Sequence, residues 1–447
     1  MSLKIQKAII QLITFSNHTQ PFNDNLKYFL ATIRLSVKET VEDCIREAEV
    51  SIDKIIFSRL PISKPKNLLK YEKTQEIIKL TNNEIKKPQE QYTIDNSYNS
   101  FIPLIHKKYF TTYPIPEEII CLQKTITNRN ISLKDVKNVI VNYPHPYTRE
   151  LMELRHTIEE LSIPIKDSEF NEKNIADTPF KYVTLISELK ELEEELNNVP
   201  EFAVDLEHHF FRSYLGLTCL VQISTRKKDY VIDALTLRNH MSILQSPFAN
   251  PRVVKVFHSS GQDIQWLQRD FGIYIVNMFD TAQAAKILEY QTYSLEKLLK
   301  EFCGKEVDKK YQLADWRTRP IPPAMLQYAR NDTHYLLHIY DILRKKLINY
   351  GKAKTHQYSS TYLMMVFDRS KEICLRVYQK PILKNYEYYG MINNYKKSFT
   401  KIQMSIFKLI LKLRDYIARV EDESLKYVCS NELLLEIARN LPVMQMH

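Results

Sequence analysis

The sequence predicts a mixed α/β sheet flanked by helices, set between all-helical N-terminal and C-terminal segments. Three observations carry this. Residues 176–350 alternate short β-branched runs with amphipathic stretches. Residues 26–56, LKYFLATIRLSVKETVEDCIREAEVSIDKII, space apolar side chains by three and four without Gly or Pro. Helical periodicity returns after Gly351 and runs to the end.

Taken in order, residues 1–85 read as a helical domain. Its apolar stripe fits a bundle around its own core, or a surface that docks another protein's helices; pattern alone favours the bundle. Pro61 and Pro65 break the helix, and an Asn- and Lys-rich stretch follows. Pro103, Pro114, Pro116, Pro144 and Pro146 then mark residues 86–175 as an extended linker, wrapped on a neighbouring domain. In 176–350, helix SELKELEEELNN precedes strand EFAVDLE. Strands are expected at 219–225 and 229–235, paired as a hairpin, then a short helix near 237–245. VVKVFHS (253–259) leads into helix GQDIQWLQRDFG, and YIVNMFDT (274–281) is the next strand, a strand–helix–strand order that implies a parallel crossover. Helices dominate from Ala282 to Tyr350. Residues 351–396 form a helical connector, and 397–447 a helix–loop–helix domain.

Composition narrows the function. A chain of 447 residues exceeds one compact domain. Its net charge of +10 and pI near 9.0 raise the odds of a phosphate-bearing partner. None of the six cysteines forms a CxxC pair, so neither a disulfide framework nor a zinc site is expected, which fits a reducing compartment. The N-terminal MSLKIQKAIIQLITF is too broken by Lys and Gln for a signal peptide. No run approaches the ~18 apolar residues of a membrane span. The expectation is a soluble intracellular protein with no membrane partner.

Five side chains then stand out. Asp205 and Glu207 lie two apart in FAVDLE, so a strand presents both on one face. Adjacent carboxylates at the end of an apolar strand repel each other, and a divalent cation offsets this well. Asp263 opens a helix, where it also suits the helix dipole. Tyr328 and Asp332 are four apart in PPAMLQYARNDTHYLLHIYDIL, one turn apart on one face. Each feature alone has an ordinary structural explanation. Together they fit phosphodiester hydrolysis with two ions, which needs several carboxylates around ions roughly 3.5–4 Å apart. Hard oxygen donors suit Mg²⁺ or Mn²⁺. A tyrosine beside them would orient or deprotonate the attacking water.

DxE on a first strand, a later Asp opening a helix, and Y-x-x-x-D on a last helix resemble the tyrosine subclass of the DEDD 3′→5′ exonucleases. Longer stretches, EFAVDLEHH, GLTCLVQIST, KVFH, DIQWLQRDFGIYIVNMFDT, KKYQLADWR and YARNDTHYLLHIYD, resemble the nuclear-exosome-associated exoribonucleases of eukaryotes, relatives of bacterial ribonuclease D. RSKEICLRVY and ARVEDESLKYV are similar to that family's C-terminal helical (HRDC-type) domain, shared with RecQ-type helicases. The resemblance implies a ribonuclease H-like sheet over 176–350 and a partial HRDC-type domain over 397–447. It implies two divalent ions, Mg²⁺ or Mn²⁺, held by Asp205, Glu207, Asp263 and Asp332. Asp205 would touch both, Glu207 and Asp332 the nucleophile-side ion, Asp263 the second, and Tyr328 the attacking water. The expected product is nucleoside 5′-monophosphate released from single-stranded RNA 3′ ends. Implied partners are the exosome core, a small helical protein bound by residues 1–85, and an RNA helicase, in the nucleus and enriched in the nucleolus.

Around this constellation His258, Lys309, Gln312, Trp316 and Arg317 are candidate substrate contacts. Lys309 is the best placed for a phosphate. Trp316 reads as core before it reads as a stacking platform, and His258 equally as a strand-end histidine. The family usually has His-Gly-Ala where this chain has His258, Ser259 and Ser260, so the loop that aims Asp263 is expected to be reshaped. The HRDC-type segment stops at His447, short of that domain's usual length, and the family's basic tail does not follow. Other classes remain: a DNA 3′→5′ exonuclease of the same fold, and a catalytically idle exosome scaffold, against which the five residue types argue. A helicase fragment would need a GxxxxGK[ST] loop, which the chain lacks.

Overall fold

The computed structural model describes residues 94–127, 143–157, 174–306, 309–355, 360–381, 391 and 399–440. The helical domain expected over 1–85 lies outside the described residues. The chain divides into two compact units, one of 97–209 and 216–381, the other including 210–215 and the residues after 381.

The larger unit opens with α1 (Glu117–Thr127) and α2 (Thr148–Glu153). Then come β1 (Phe180–Val183), α3 (Ile186–Asn197), β2 (Glu201–His209), β3 (Leu217–Ser224) and β4 (Asp229–Asp233). A 3-10 turn (Arg238–Leu244) and α4 (Gln245–Ala249) precede β5 (Val254–Phe257), α5 (Asp263–Phe271) and β6 (Met278–Asp280). Helices α6 (Thr281–Ile287), α7 (Leu295–Cys303), α8 (Pro323–His334), α9 (Leu336–Thr355) and α10 (Thr361–Cys374) complete it.

The six strands form one mixed sheet, ordered β1-β4-β3-β2-β5-β6. The expected hairpin is β3 with β4, antiparallel; β2 also pairs antiparallel with β3, and the β2, β5, β6 ladder is parallel. Alternation along β2 assigns its faces. Phe202, Val204 and Leu206 join a core with Leu189, Leu192 and Leu196 of α3 and Phe271 of α5. Ala203 points the other way, into a core with Leu336, Leu337 and Ile339 of α9 and Phe367 of α10. Period two puts Asp205 and Glu207 on this second face.

The structure corrects three expectations. Strand β1, too short to stand out in the sequence, adds a parallel edge to β4. In 274–281 only Met278–Asp280 is strand; Tyr274 and Ile275 are core residues of a loop. The Pro-rich stretch is not merely extended. Its described parts contain α1 and α2 and bury Phe101, Ile105, Ile119, Tyr147 and Leu151 in the α3-side core. The Tyr147 hydroxyl accepts the Tyr109 amide and bonds the Gln245 amide, tying the stretch down.

In the smaller unit α11 (Lys401–Val420), α12 (Leu425–Val428) and α13 (Asn431–Asn440) pack around Phe407, Leu411, Leu434 and Ala438. Thr400 and Gln403 form a capping box that starts α11. Arg414 donates to the Cys429 carbonyl and the Asn431 side chain, closing the α11–α13 corner. Among the described residues no helix is long and apolar enough to cross a membrane.

Candidate active site

Three of the five expected residues meet directly. One carboxylate oxygen from each of Asp205, Glu207 and Asp332 lies within 4.8 Å of the others. Asp205 and Glu207 come from β2, and the β2–β3 ladder slips between Glu207 and His208, a bulge at the point where the second carboxylate is aimed. Asp332 comes from α8, which packs across β2, β3 and β4.

Helix α8 is pinned by polar contacts that the sequence did not single out. The Ser224 hydroxyl on β3 bonds both the Asp229 carboxylate and Thr333. Asp229 also receives Arg330 at 2.9 Å and His334 Nδ1 at 2.9 Å. The two helix residues flank Asp332, so the turn of helix that carries the carboxylate is held on both sides.

Asp263, buried, begins α5. It stands outside the mutual cluster of three but close enough that Asp205 is its strongest charged neighbour. The loop before it is held by Asp280, which sequence reasoning took only as a strand end. The Asp280 carboxylate accepts the amides of Ser259 and Ser260, the Ser260 hydroxyl, and the amides of Ala282 and Gln283. Within this loop Ser259 adopts φ +58, a left-handed conformation uncommon without glycine. The only signal for Asp280 was its place before a helix, which reads as an N-cap.

Tyr328 packs its ring against Tyr311 and Trp316, at centroid distances of 5.9 and 6.0 Å. Trp316 is 1% exposed, and Arg317 is buried with its guanidinium paired to Asp315 at 2.6 Å. As placed, neither offers a face to a substrate, which corrects both from substrate contacts: Trp316 packs against the Tyr328 ring and Arg317 is held by Asp315. Gln312 is exposed. Lys309 starts the 3-10 turn Lys309–Tyr311, and its side chain lies outside the described residues. His258 is half-buried, bonded to Thr281 through Nδ1, and kept neutral by burial, which lowers its pKa to about 4.

The electrostatics single out this cluster. Burial pushes Asp205 up to about 7, against a backbone N–H bond from Leu206 that lowers it. Glu207 is raised well above the usual range by burial, then by Asp205, Asp332 and Asp263. Asp263 is raised by burial, Asp205 and Asp280, and Asp332 by burial and Asp205. Two other buried acids of the unit have cations: Asp270 meets Arg238 and Arg269, and Asp233 meets Arg319. Here like charges face one another, the pattern of a functional site.

The fold and this carboxylate site define a 3′→5′ exonuclease domain: residues 180–348 match the 3′-5′ exonuclease family, and 403–445 match the HRDC domain. Human exosome complex component 10 is 42% identical over 363 residues, covering 78% of this chain and 40% of its own. The exosome complex exonuclease RRP6 of Saccharomyces cerevisiae is 39% identical over 372 residues, 80% of this chain and 48% of its own. The crystal structure of the catalytic core of RRP6 from Trypanosoma brucei superposes with a TM-score of 0.67 at 34% identity, covering 80% of this chain and 90% of that one. The chain belongs to the family of RRP6 and exosome component 10. It spans about 40% of the length of the first curated relatives it matches.

Proposed function

We propose that the chain is a metal-dependent 3′→5′ exoribonuclease that releases nucleoside 5′-monophosphates from RNA 3′ ends. The observation that carries this is the buried meeting of Asp205, Glu207 and Asp332 beside Asp263, inside a 3′-5′ exonuclease domain. The donor set is all oxygen and rich in charge, which fits Mg²⁺ or Mn²⁺. Asp205 would serve two ions, Glu207 and Asp332 one, and Asp263 the other. Bound there, the ions would supply charge neutralisation and Lewis acidity to the phosphate.

The chain's own groups supply the rest. The Tyr328 hydroxyl, on a ring braced by Tyr311 and Trp316, orients the attacking water. The water oxygen bonds to phosphorus, the P–O3′ bond breaks, and the proton ends on the departing 3′ oxygen. The scissile phosphate leaves on the released nucleotide as its 5′-phosphate. Gln312 and Lys309, on the segment before Trp316, and His258, just after β5, are the candidate substrate contacts.

Under this reading the protein acts with the exosome core in nuclear RNA processing and decay, with enrichment in the nucleolus. Residues 1–85 bind a small helical protein, and that pair receives an RNA helicase. The names carried by the relatives support the exosome link. The test is digestion of matched 3′-hydroxyl RNA and DNA oligonucleotides in Mg²⁺, with product identified by chromatography. Monophosphates from RNA are expected; a preference for DNA favours the DNA exonuclease, and no hydrolysis in Mg²⁺ or Mn²⁺ favours the idle scaffold.

A further inference from the structure

Gln222 lies on β3 directly opposite Asp205 in the β2–β3 register. It is fully buried, and among the described residues neither its Oε1 nor its Nε2 has a hydrogen-bonding partner. Its direction follows from its neighbours. Ser224, two residues on and therefore on the same face, bonds Thr333 of α8. That face of β3 thus looks onto the helix that carries Tyr328 and Asp332. Side chains opposed across antiparallel strands have Cβ atoms about 4.5–5.5 Å apart, well within the reach of a glutamine amide.

An unpaired buried amide is expensive, because its polar groups lose their water and gain no partner. A methionine of nearly the same shape would avoid that cost, and the adjoining residues Leu220, Val221 and Ile223 are apolar. Where a buried polar group in this sheet has a purely structural task, it is bonded: Lys255 donates to the carbonyls of Asn250 and Val253. We propose that Gln222 is a positioning residue for Asp205. Its Nε2–H donates to the Asp205 carboxylate once ions are held there, and fixes which oxygen faces them. Donors of this kind set the orientation and basicity of a ligand and typically change metal affinity by about 10–100-fold. The inference rests on the reading of Asp205 as a metal ligand.

The experiment compares the full chain with Gln222→Met and Gln222→Leu, by thermal melting without metal and by Mn²⁺ titration followed by electron paramagnetic resonance. The amide holds nothing in the metal-free protein, so both variants should fold and melt at or above the wild-type temperature. Mn²⁺ affinity should fall about tenfold or more, and turnover should recover at higher Mn²⁺. Variants that unfold or melt several degrees lower would make the amide structural and overturn the proposal. So would variants that bind Mn²⁺ as tightly as wild type. A wild type that binds no Mn²⁺ would overturn the metal reading itself, and this proposal with it.

Discussion

Asp280 and Ser260 are joined twice: the carboxylate accepts the serine amide at 2.9 Å and its hydroxyl at 2.8 Å. The Ser260 carbonyl in turn accepts the amide of Ile264, in the first turn of α5. Asp280 on the end of β6 therefore fixes the start of the helix that Asp263 opens. Ser260→Ala removes one of several bonds and should cost about 1 kcal/mol, with turnover within a few-fold of wild type. Asp280→Asn turns an N–H₂ toward amide donors and should cost roughly 2–3 kcal/mol. Its turnover should fall at least about tenfold, as expected when the support of a metal ligand is lost. Melting curves and single-turnover assays check both; an Asp280→Asn enzyme with wild-type turnover would show that the latch does not aim Asp263.

Asp263→Asn should abolish hydrolysis and leave RNA affinity largely intact. The amide keeps the size of the side chain but removes the charge that would hold an ion. It also removes one of the acids that raise Glu207, so the variant should fold well. Filter binding and product release measure the two quantities separately. Wild-type turnover in Mg²⁺ contradicts the assignment.

Tyr328→Phe should lower the rate constant more than it weakens RNA binding. The ring contacts with Tyr311 and Trp316 survive in phenylalanine, so the wall keeps its shape. Only the hydroxyl is lost, and a group that orients water acts mainly in the transition state. An unchanged rate with weaker binding would move Tyr328 to substrate contact.

What the sequence disclosed follows the range of its signals. Periodicity located β2, β3 and β4 to within two residues or so, because the face each turns toward the α3-side core is apolar. Spacing along one element placed Asp205 beside Glu207, and Tyr328 a turn from Asp332. It could not show that Asp229 holds α8, or that Asp280 holds a loop twenty residues earlier. Those contacts join elements by tertiary folding, and each acid alone reads as a strand end or a cap. Trp316 is the core residue it was first read as, but Arg317 was misjudged for the same reason: a motif beside a site does not say which side chains turn inward. Gln222 was invisible because its significance lies in the β2–β3 register.

The last prediction concerns the metal-free protein. Asp205 is raised to about 7, and Glu207, Asp263 and Asp332 are raised as well, chiefly by burial. A carboxyl whose folded pKa exceeds its unfolded value binds its proton more tightly when folded. Its contribution to stability is complete below the unfolded pKa, near 4, and is lost as pH rises through the folded value. The metal-free melting temperature should therefore fall as pH rises from about 4 through about 7. Below that window a different group takes over. Burial alone would raise Asp270, but Arg238 and Arg269 hold it below the usual carboxylate range, so its stabilisation is lost in acid. Millimolar Mg²⁺ or Mn²⁺ should restore the melting temperature, and the gain should be larger at pH 8, where the cluster is ionised and binds cations best. Asp332→Asn removes one buried charge and should stabilise the metal-free protein at pH 8, while reducing the gain from added metal. Melting curves over pH, with and without metal, read all of this. A flat profile with no metal response would mean that the four carboxylates are not a cation site.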